Sequence, residues 1–201
     1  MGGAPLDFYF DFSSPYGYLA SHRIDELAAR HGRDVEWRPI TLGVVFKITG
    51  AVPHVQVPLK GDYVRRDWAR ASRRLGVPFT LPQKFPFPSG PAVRAYYWLR
   101  DQDAAKARAL AKAVFHAAFA EGRAISAADD VAALGEKVDV APHTLMAGIA
   151  DPESDERVKN EVDTAIARGV FGSPFIIVDG EPFFGGDRLD EVDAWLKSGG
   201  W

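Results

Sequence analysis

The segments with strand character lie only near the two ends of this chain of 201 residues, and this placement constrains the fold more than any other feature. Residues 6–12 (LDFYFDF) and 34–42 (DVEWRPITL) are short apolar or alternating runs, which is the pattern of buried strands. Near the other end, residues 175–178 and 182–184 flank Asp179-Gly180, a dipeptide typical of a two-residue hairpin turn. One sheet therefore has to join both ends of the chain.

Helical patterns fill most of the remaining chain. Residues 15–32 predict one helix with Ser14 as its N-cap, whereas residues 43–63, punctuated by Gly and Pro, predict a long ordered loop. Helices then dominate up to the second pair of strands. This order predicts an α/β protein with a thioredoxin-like fold and an inserted all-helical domain (DsbA-like). We expect the thioredoxin-like domain to comprise residues 1–43 and 167–201, and the helical insertion domain to comprise residues 44–166.

Composition argues against several classes of function. The 24 basic and 27 acidic residues give a net charge of −3 without a basic block, so we expect no nucleic-acid binding. The chain has no cysteine, which rules out disulfides and a cysteine nucleophile and fits a reducing compartment. The five histidines lack the spacing of metal ligands, so we expect no metal. Because no secretory signal pattern and no long apolar run is found, we expect a cytoplasmic protein with no membrane partner.

The junction between the first strand and the first helix, FSSPYG, places Ser14 at a helix N-terminus. Unpaired N–H groups and the positive end of the helix dipole favour an anion there, and they lower the pKa of a thiol. Lowering a thiol pKa by about two units requires ~2.7 kcal/mol, and a hydrogen bond from a hydroxyl to a charged sulfur contributes ~1.5–3 kcal/mol. Ser14 is therefore a candidate activator of a sulfur that a ligand supplies. The alternative is a plain N-cap, a role for which Ser13 competes.

Two stretches near the end of the chain admit both a structural and a functional interpretation. At GSPF, a cis bond between Ser173 and Pro174 would turn the chain and leave the Ser173 N–H and C=O free for a ligand, whereas a trans proline would only begin a strand. At FFGGDR, Asp187 is either the N-cap of the last helix or part of a polar nest that binds a zwitterionic group.

Taken together, FYFDFSSPYGYLA, RRLGVPF and DTAIARGVFGSPFIIVDGEPFFGGDRL resemble the 2-hydroxychromene-2-carboxylate isomerases, a DsbA-like branch of the thioredoxin superfamily related to the kappa-class glutathione transferases. The resemblance covers essentially the whole chain. It implies a homodimer that uses glutathione as a cofactor to isomerise a small aromatic substrate. In the implied reaction a thiolate adds to a conjugated carbon, the resulting single bond rotates, and elimination releases the isomer.

The resemblance also implies roles for individual residues. Ser14 matches the serine that activates the glutathione sulfur, at the position where the redox relatives have the first cysteine of Cys-x-x-Cys. The residues that match the glutathione-binding positions are Lys60, Ser173, Pro174, Gly186, Asp187 and Arg188. The substrate would lie in an apolar pocket between the two domains, where ligand sites are common. We expect its walls to be Tyr16, Phe85, Phe87 and Trp98.

Three positions depart from the family pattern. Ala51 and Pro88 stand where asparagines are common, and Ser13 stands where a bulky apolar residue is usual. Because those asparagines lie near the sulfur and the substrate in the family, their absence bears on the substrate more than on the fold. Two other functions stay open: a kappa-like transferase that conjugates glutathione to electrophiles, and a redox-inactive module that binds a protein or peptide along its cis-proline edge.

Overall fold

Four strands, two from each end of the chain, form one mixed sheet in the computed structural model, which describes residues 3–201. Strand β1 (Leu6–Phe10) pairs in parallel with β2 (Val35–Pro39) and antiparallel with β3 (Phe175–Val178), and β4 (Glu181–Phe184) pairs antiparallel with β3. The order β2-β1-β3-β4, with a run of helices between β2 and β3, confirms the predicted α/β thioredoxin-like fold with a helical insertion.

The turn between β3 and β4 is the predicted hairpin. It consists of Asp179 and Gly180, whose φ angles are 52° and 95°. Positive φ at both central residues is what a two-residue turn of type I′ requires, and Asp-Gly is a favoured pair for it. Pro182 lies in β4, at the edge of the sheet, where a residue without an N–H costs no ladder hydrogen bond.

Ten α-helices lie within residues 3–201, and none of them is long and apolar enough to cross a membrane. Three short 3₁₀ turns and one π-helical turn at the end of α6 complete the regular structure. The helices are α1 (Pro15–Ser21), α2 (Ile24–Arg30), α3 (Leu42–Thr49), α4 (Lys60–Leu75), α5 (Gly90–Arg100), α6 (Ala104–Phe115), α7 (Ala128–Ala133), α8 (Pro142–Ala150), α9 (Pro152–Ala167) and α10 (Leu189–Ser198).

The single helix predicted over residues 15–32 is divided into α1 and α2, so this prediction was wrong about its continuity. Ser14 caps α1 and Gly32 (φ 63°) follows α2, as predicted. Between them the chain leaves the helix at His22, whose ring packs edge-on against Tyr18 at 4.8 Å. The division allows α1 to contact α4 while α2 contacts α10.

The long ordered loop predicted over residues 43–63 was also wrong, because α3 lies in its first part and α4 begins before its end. Four of the eight residues of α3 are β-branched, which weakens the local helix signal. Tertiary contacts override that weakness. Val45 is buried, Gly50 ends the helix in the left-handed conformation (φ 70°), and the Asp11 carboxylate accepts the Leu42 N–H at 2.7 Å.

Hydrophobic packing crosses from the sheet into the helical insertion. The rings of Phe10 and Phe12, at the end of β1, lie 5.2 and 5.4 Å from the ring of Phe115 in α6. On the other face of the sheet, Val162 and Ala165 of α9 join a buried cluster with residues of β1 and β3. The last turns of α9 therefore cover the sheet, although the predicted insertion domain contains nearly all of this helix. The division into two domains stays a prediction.

Candidate active site

Ser14 lies where the chain leaves β1 and begins α1, and its side chain caps that helix as predicted. Its Oγ accepts a hydrogen bond from the Gly17 N–H at 3.0 Å, and its backbone is extended (φ −103°, ψ 110°). The residue is 6% exposed. Two features of this site stabilise an anion, and the hydroxyl is the stronger one. A charge-assisted hydrogen bond contributes ~1.5–3 kcal/mol, whereas the helix dipole typically contributes ~0.3–1 kcal/mol, and α1 has only seven residues.

The peptide bond between Ser173 and Pro174 is cis, as the functional interpretation of GSPF required. The expectation that the Ser173 C=O is free was wrong, because the Ser14 hydroxyl donates to it at 3.2 Å. The Ser173 hydroxyl in turn accepts the Asp11 N–H at 3.0 Å. Since a serine has one hydroxyl proton, Ser14 can donate to a ligand only by turning that proton away from Ser173. Its Oγ can keep the Gly17 N–H while it does so.

Gly17 is a site residue that the sequence interpretation missed. A Cβ at this position would lie 3.1 Å from the Ser173 Oγ and 3.3 Å from the Ser14 Cβ. Its missing side chain therefore lets α1 and the cis-proline turn approach each other. The signal was present in the sequence, because a glycine in the first turn of a short helix is unfavourable unless something comes close to it.

The loop that follows β4 lies beside Pro174 and α1. Gly185 (φ 113°) donates its N–H to the Pro174 C=O at 3.0 Å. A Cβ on Gly186 would lie 3.6 Å from the Tyr16 C=O and 3.8 Å from the Pro174 Cγ. The structure thus brings Ser14, Ser173, Pro174 and Gly186 together around the N-terminus of α1.

Asp187 and Arg188 lie in the short 3₁₀ turn that follows Gly185. Asp187 is not the N-cap of the last helix, because a 3₁₀ turn over Gly186–Arg188 intervenes and α10 begins at Leu189. That structural interpretation was wrong by one residue. Arg188 is half-exposed and forms an ion pair with Glu191. The carboxylate of Asp187 lies near enough to Tyr16 to help raise its pKa.

Tyr16, one of the predicted substrate walls, ties α1 to α4. Its hydroxyl donates to the Asp67 Oδ2 at 2.6 Å, and Asp67 also forms an ion pair with Arg70. Burial and, after it, the hydrogen bond and charge of Asp67 raise the pKa of Tyr16 well above its usual range. Tyr16 is therefore neutral throughout the physiological range and acts here as a hydrogen-bond donor.

Three of the four predicted wall residues belong to one aromatic cluster, but only through a residue that was not predicted. Trp68 of α4 packs edge-on against Tyr16 at 5.9 Å and against Phe85 at 5.7 Å, and Phe85 lies 6.4 Å from Phe87. The residues around Trp68 (RRDWARASRR, residues 65–74) are mostly basic, and these charges obscure a buried stripe in the sequence. The stripe consists of Val64, Trp68 and Ser72, at intervals of four residues.

Trp98, the fourth predicted wall, lies elsewhere, so this prediction was wrong. It belongs to α5, its indole packs onto Gly148 of α8, and it lines a groove with residues of α9. A tryptophan in a helix can pack against another helix or line a ligand site, and the sequence does not show which of the two it does.

Lys60 is the first residue of α4, the helix that presents Asp67 and Trp68 to Tyr16. Its side chain is exposed and forms no ion pair with any other residue in the range 3–201. Within residues 3–201, no group of three or more His, Cys, Asp or Glu side chains is placed to hold a metal ion.

Comparison with known proteins identifies the family to which the chain belongs. The family model of the DSBA-like thioredoxin domain matches residues 5–197. The chain is 30% identical over 193 residues to a 2-hydroxychromene-2-carboxylate isomerase of Sphingobium xenophagum, covering 95% of this chain and 97% of that protein. The chain therefore belongs to the DsbA-like 2-hydroxychromene-2-carboxylate isomerase family.

Two further comparisons extend this assignment. A solved structure of 2-hydroxychromene-2-carboxylate isomerase superimposes with a TM-score of 0.88 at 28% identity, covering 98% of this chain and 95% of that one. A kappa 2 glutathione S-transferase of Caenorhabditis elegans is 27% identical over 210 residues, covering 95% of this chain and 91% of that protein. Both kinds of relative span the whole fold, including the helical insertion.

The close approach at Gly17 predicts an unusual response to alanine. Alanine normally stabilises a helix interior relative to glycine by about 0.5–1 kcal/mol. We expect this gain for Gly43→Ala in α3, where a Cβ meets no atom within 4 Å, and no gain or a loss for Gly17→Ala. Urea unfolding of both variants measures the difference. Equal stabilisation by the two substitutions would contradict the tight contact between α1 and Ser173.

Proposed function

We propose that this protein is a glutathione-dependent isomerase that acts on 2-hydroxychromene-2-carboxylate or a similar aromatic enol-pyruvate. The proposal is supported by membership of the isomerase family and by the serine hydroxyl that caps α1 beside a cis proline. When bound, glutathione supplies a thiolate that adds reversibly to a conjugated carbon, so that the former double bond rotates before the thiolate leaves. Everything else in the reaction depends on groups of this chain.

The single observation that carries the proposal is the hydrogen bonding of Ser14. Because its Oγ accepts the Gly17 N–H, the hydroxyl proton is directed away from α1, toward the cis-proline turn. A ligand thiol in that position receives the proton as a hydrogen bond, which favours the thiolate. The thiol proton is released to solvent, so the reaction needs no base in the site to hold it.

The groups around Ser14 fit a short peptide with a charged end. Ser173 offers its backbone N–H and C=O to the cysteinyl part of glutathione. Pro174 has no N–H that would compete with them for a hydrogen-bond acceptor. Gly186, Asp187 and Arg188 surround the place proposed for the γ-glutamyl end, where Asp187 would pair with its ammonium group. Lys60, exposed at the start of α4, would bind a carboxylate of glutathione or of the substrate.

The aromatic cluster supports the proposed substrate class. Tyr16, in the first turn of α1, and Phe85 are half-buried, and planar rings of a substrate stack or pack edge-on against such side chains. Trp68 and Phe87 are buried (4% and 6% exposed) and support these two rings rather than reaching a ligand directly. Between them these residues keep water from the reacting carbons, which favours elimination over side reactions.

We also propose that the enzyme is a cytoplasmic homodimer. The cytosol keeps glutathione reduced, and the reaction requires the thiol form. Val44, Ile48 and Val52 are each exposed by at least two-fifths on and just after α3, which supports an apolar contact surface. Sedimentation equilibrium tests the dimer, since a single species near the chain mass of 22.0 kDa contradicts it.

The role of Ser14 predicts a specific loss in Ser14→Ala. Wild-type protein should bind glutathione and lower its thiol pKa by about two units. The Ser14→Ala variant should still bind glutathione, but most of this decrease in the thiol pKa should be lost. Calorimetric titration measures binding, and thiolate absorbance near 240 nm measures the thiol pKa. The matched control is Ser21→Ala, which removes another buried hydroxyl of α1, bonded to the Tyr18 C=O. Absence of glutathione binding to the wild type would contradict the proposal.

Isomerisation and conjugation differ in what happens to glutathione. An isomerase returns it after every turnover, so product should accumulate far beyond a limiting amount of glutathione. The kappa-like alternative, suggested by the related transferases, consumes one glutathione for each product and stops when it is exhausted. Chromatography of reactions with glutathione held well below an arylidene pyruvate or chromene carboxylate distinguishes the two. Stoichiometric consumption would refute the isomerase.

A further inference from the structure

Asp11 is a buried acid beside the candidate active site, and nothing in the proposed reaction uses it. It follows β1, is 3% exposed, and is the one acidic side chain that is buried within residues 3–201. It forms no ion pair with any residue in that range. Burial raises the pKa of this carboxyl group, and hydrogen bonds from neighbouring groups oppose that rise. Keeping an unpaired acid in such a place is costly, so its contacts need an explanation.

The side chain of Asp11 joins three segments of the chain. Its Oδ1 accepts the Ser13 N–H and its Oδ2 accepts the Leu42 N–H, both at 2.7 Å. The Ser89 side chain lies close enough to this carboxyl group to oppose the rise in its pKa. A carboxylate accepts at both oxygens, whereas an asparagine amide accepts at one and would press its NH₂ group against the other N–H. The arrangement is therefore specific to a carboxylate.

The backbone of Asp11 reaches both partners of the central hydrogen bond. Its C=O accepts the Ser14 N–H at 2.9 Å, and its N–H donates to the Ser173 Oγ at 3.0 Å. Asp11 is thus one covalent unit that contacts the two residues whose 3.2 Å hydrogen bond defines the site. Rotation or displacement of Asp11 would move the Ser14 turn relative to the cis-proline turn.

The segments that Asp11 holds are those on which the proposed site depends. Leu42 begins α3, which leads to Ala51 and then to Lys60 on α4. Ser89 directly follows Pro88, and its side chain lies near the Asp11 carboxyl group. Ala51 thus follows the helix that the carboxylate caps, and Pro88 directly precedes a residue beside it.

We propose that Asp11 is a positioning residue for Ser14: its buried carboxylate fixes the Ser13–Ser14 turn against the start of α3, so that the Ser14 hydroxyl is held where it can donate a hydrogen bond to a ligand sulfur. The inference rests on the proposed function only in naming that ligand sulfur as glutathione. A purely structural role as a cap for α3 predicts a loss of stability alone. A positioning role predicts in addition a loss of sulfur activation at nearly unchanged glutathione affinity.

The first test compares Asp11→Asn with Asp103→Asn, which makes the same change in an aspartate that caps α6 by accepting the Lys106 N–H at 3.0 Å. In variants shown by circular dichroism to be folded, we expect the thiol pKa of bound glutathione to rise by about one unit in Asp11→Asn, which is a tenfold fall in the ratio of thiolate to thiol. It should not change in Asp103→Asn. Glutathione affinity, measured at a pH where the thiol is protonated, should change less than the thiolate population. A thiol pKa equal to that of the wild type would overturn the proposal.

The second test needs no glutathione and reads the site directly. The Gly17 N–H bonds to the Ser14 Oγ, so its hydrogen exchange in the free protein reports the geometry of the cap. We expect at least about tenfold faster exchange in Asp11→Asn, while amides in the middle of α6 are unaffected. Unchanged hydrogen exchange at Gly17 overturns the positioning role of Asp11 whether or not glutathione binds. A failure of this proposal can therefore be distinguished from a failure of the proposed function.

A third variant keeps the proposal testable if Asp11→Asn does not fold. Leu42→Pro removes the N–H that the Asp11 Oδ2 accepts and leaves the carboxylate in place. Leu42 is the first residue of α3, where proline is tolerated, and Thr41 has the extended backbone that a following proline favours. We expect faster Gly17 exchange in this variant too, and exchange as slow as in the wild type counts against the proposal.

Discussion

Pairing of β1 with β3 is the constraint on which the candidate active site depends. It joins opposite ends of the chain, and it places the Ser14 Oγ 3.2 Å from the Ser173 C=O. The register is fixed because Phe8 and Phe10 face one core cluster while Tyr9 faces the other. A slip by one residue would exchange these faces, and it would also separate the helix cap from the cis-proline turn.

The residue that caps α1 beside the cis-proline turn is a serine, so oxygen and not sulfur lies at the centre of the site. A serine hydroxyl cannot form a disulfide, but it can cap α1 and donate one hydrogen bond. In the proposed reaction the chain therefore provides electrostatic stabilisation, and a separate thiol provides the nucleophile. Such a division of labour needs no cysteine in the chain.

The sequence was sufficient for features that short-range patterns encode, such as the Ser14 cap, the Asp179-Gly180 turn and the strands at both ends. Prediction from the sequence failed where contacts between distant residues determine the structure. The helix α3 has weak local propensity and is capped by Asp11 from another segment, and Trp68 belongs to a helix whose exposed arginines hid its buried stripe. Trp98 was assigned to the wrong surface because side-chain type does not reveal which neighbour a helix face meets.

The central claim is that the Ser14 hydroxyl turns from the Ser173 carbonyl to a glutathione sulfur. A crystal structure of the protein with reduced glutathione tests it most directly. The account predicts the sulfur within hydrogen-bonding distance of the Ser14 Oγ, the cysteinyl backbone paired with Ser173, and the Gly17 N–H still bonded to Ser14. Glutathione bound with its sulfur away from Ser14, and Ser14 still bonded to Ser173, would contradict it.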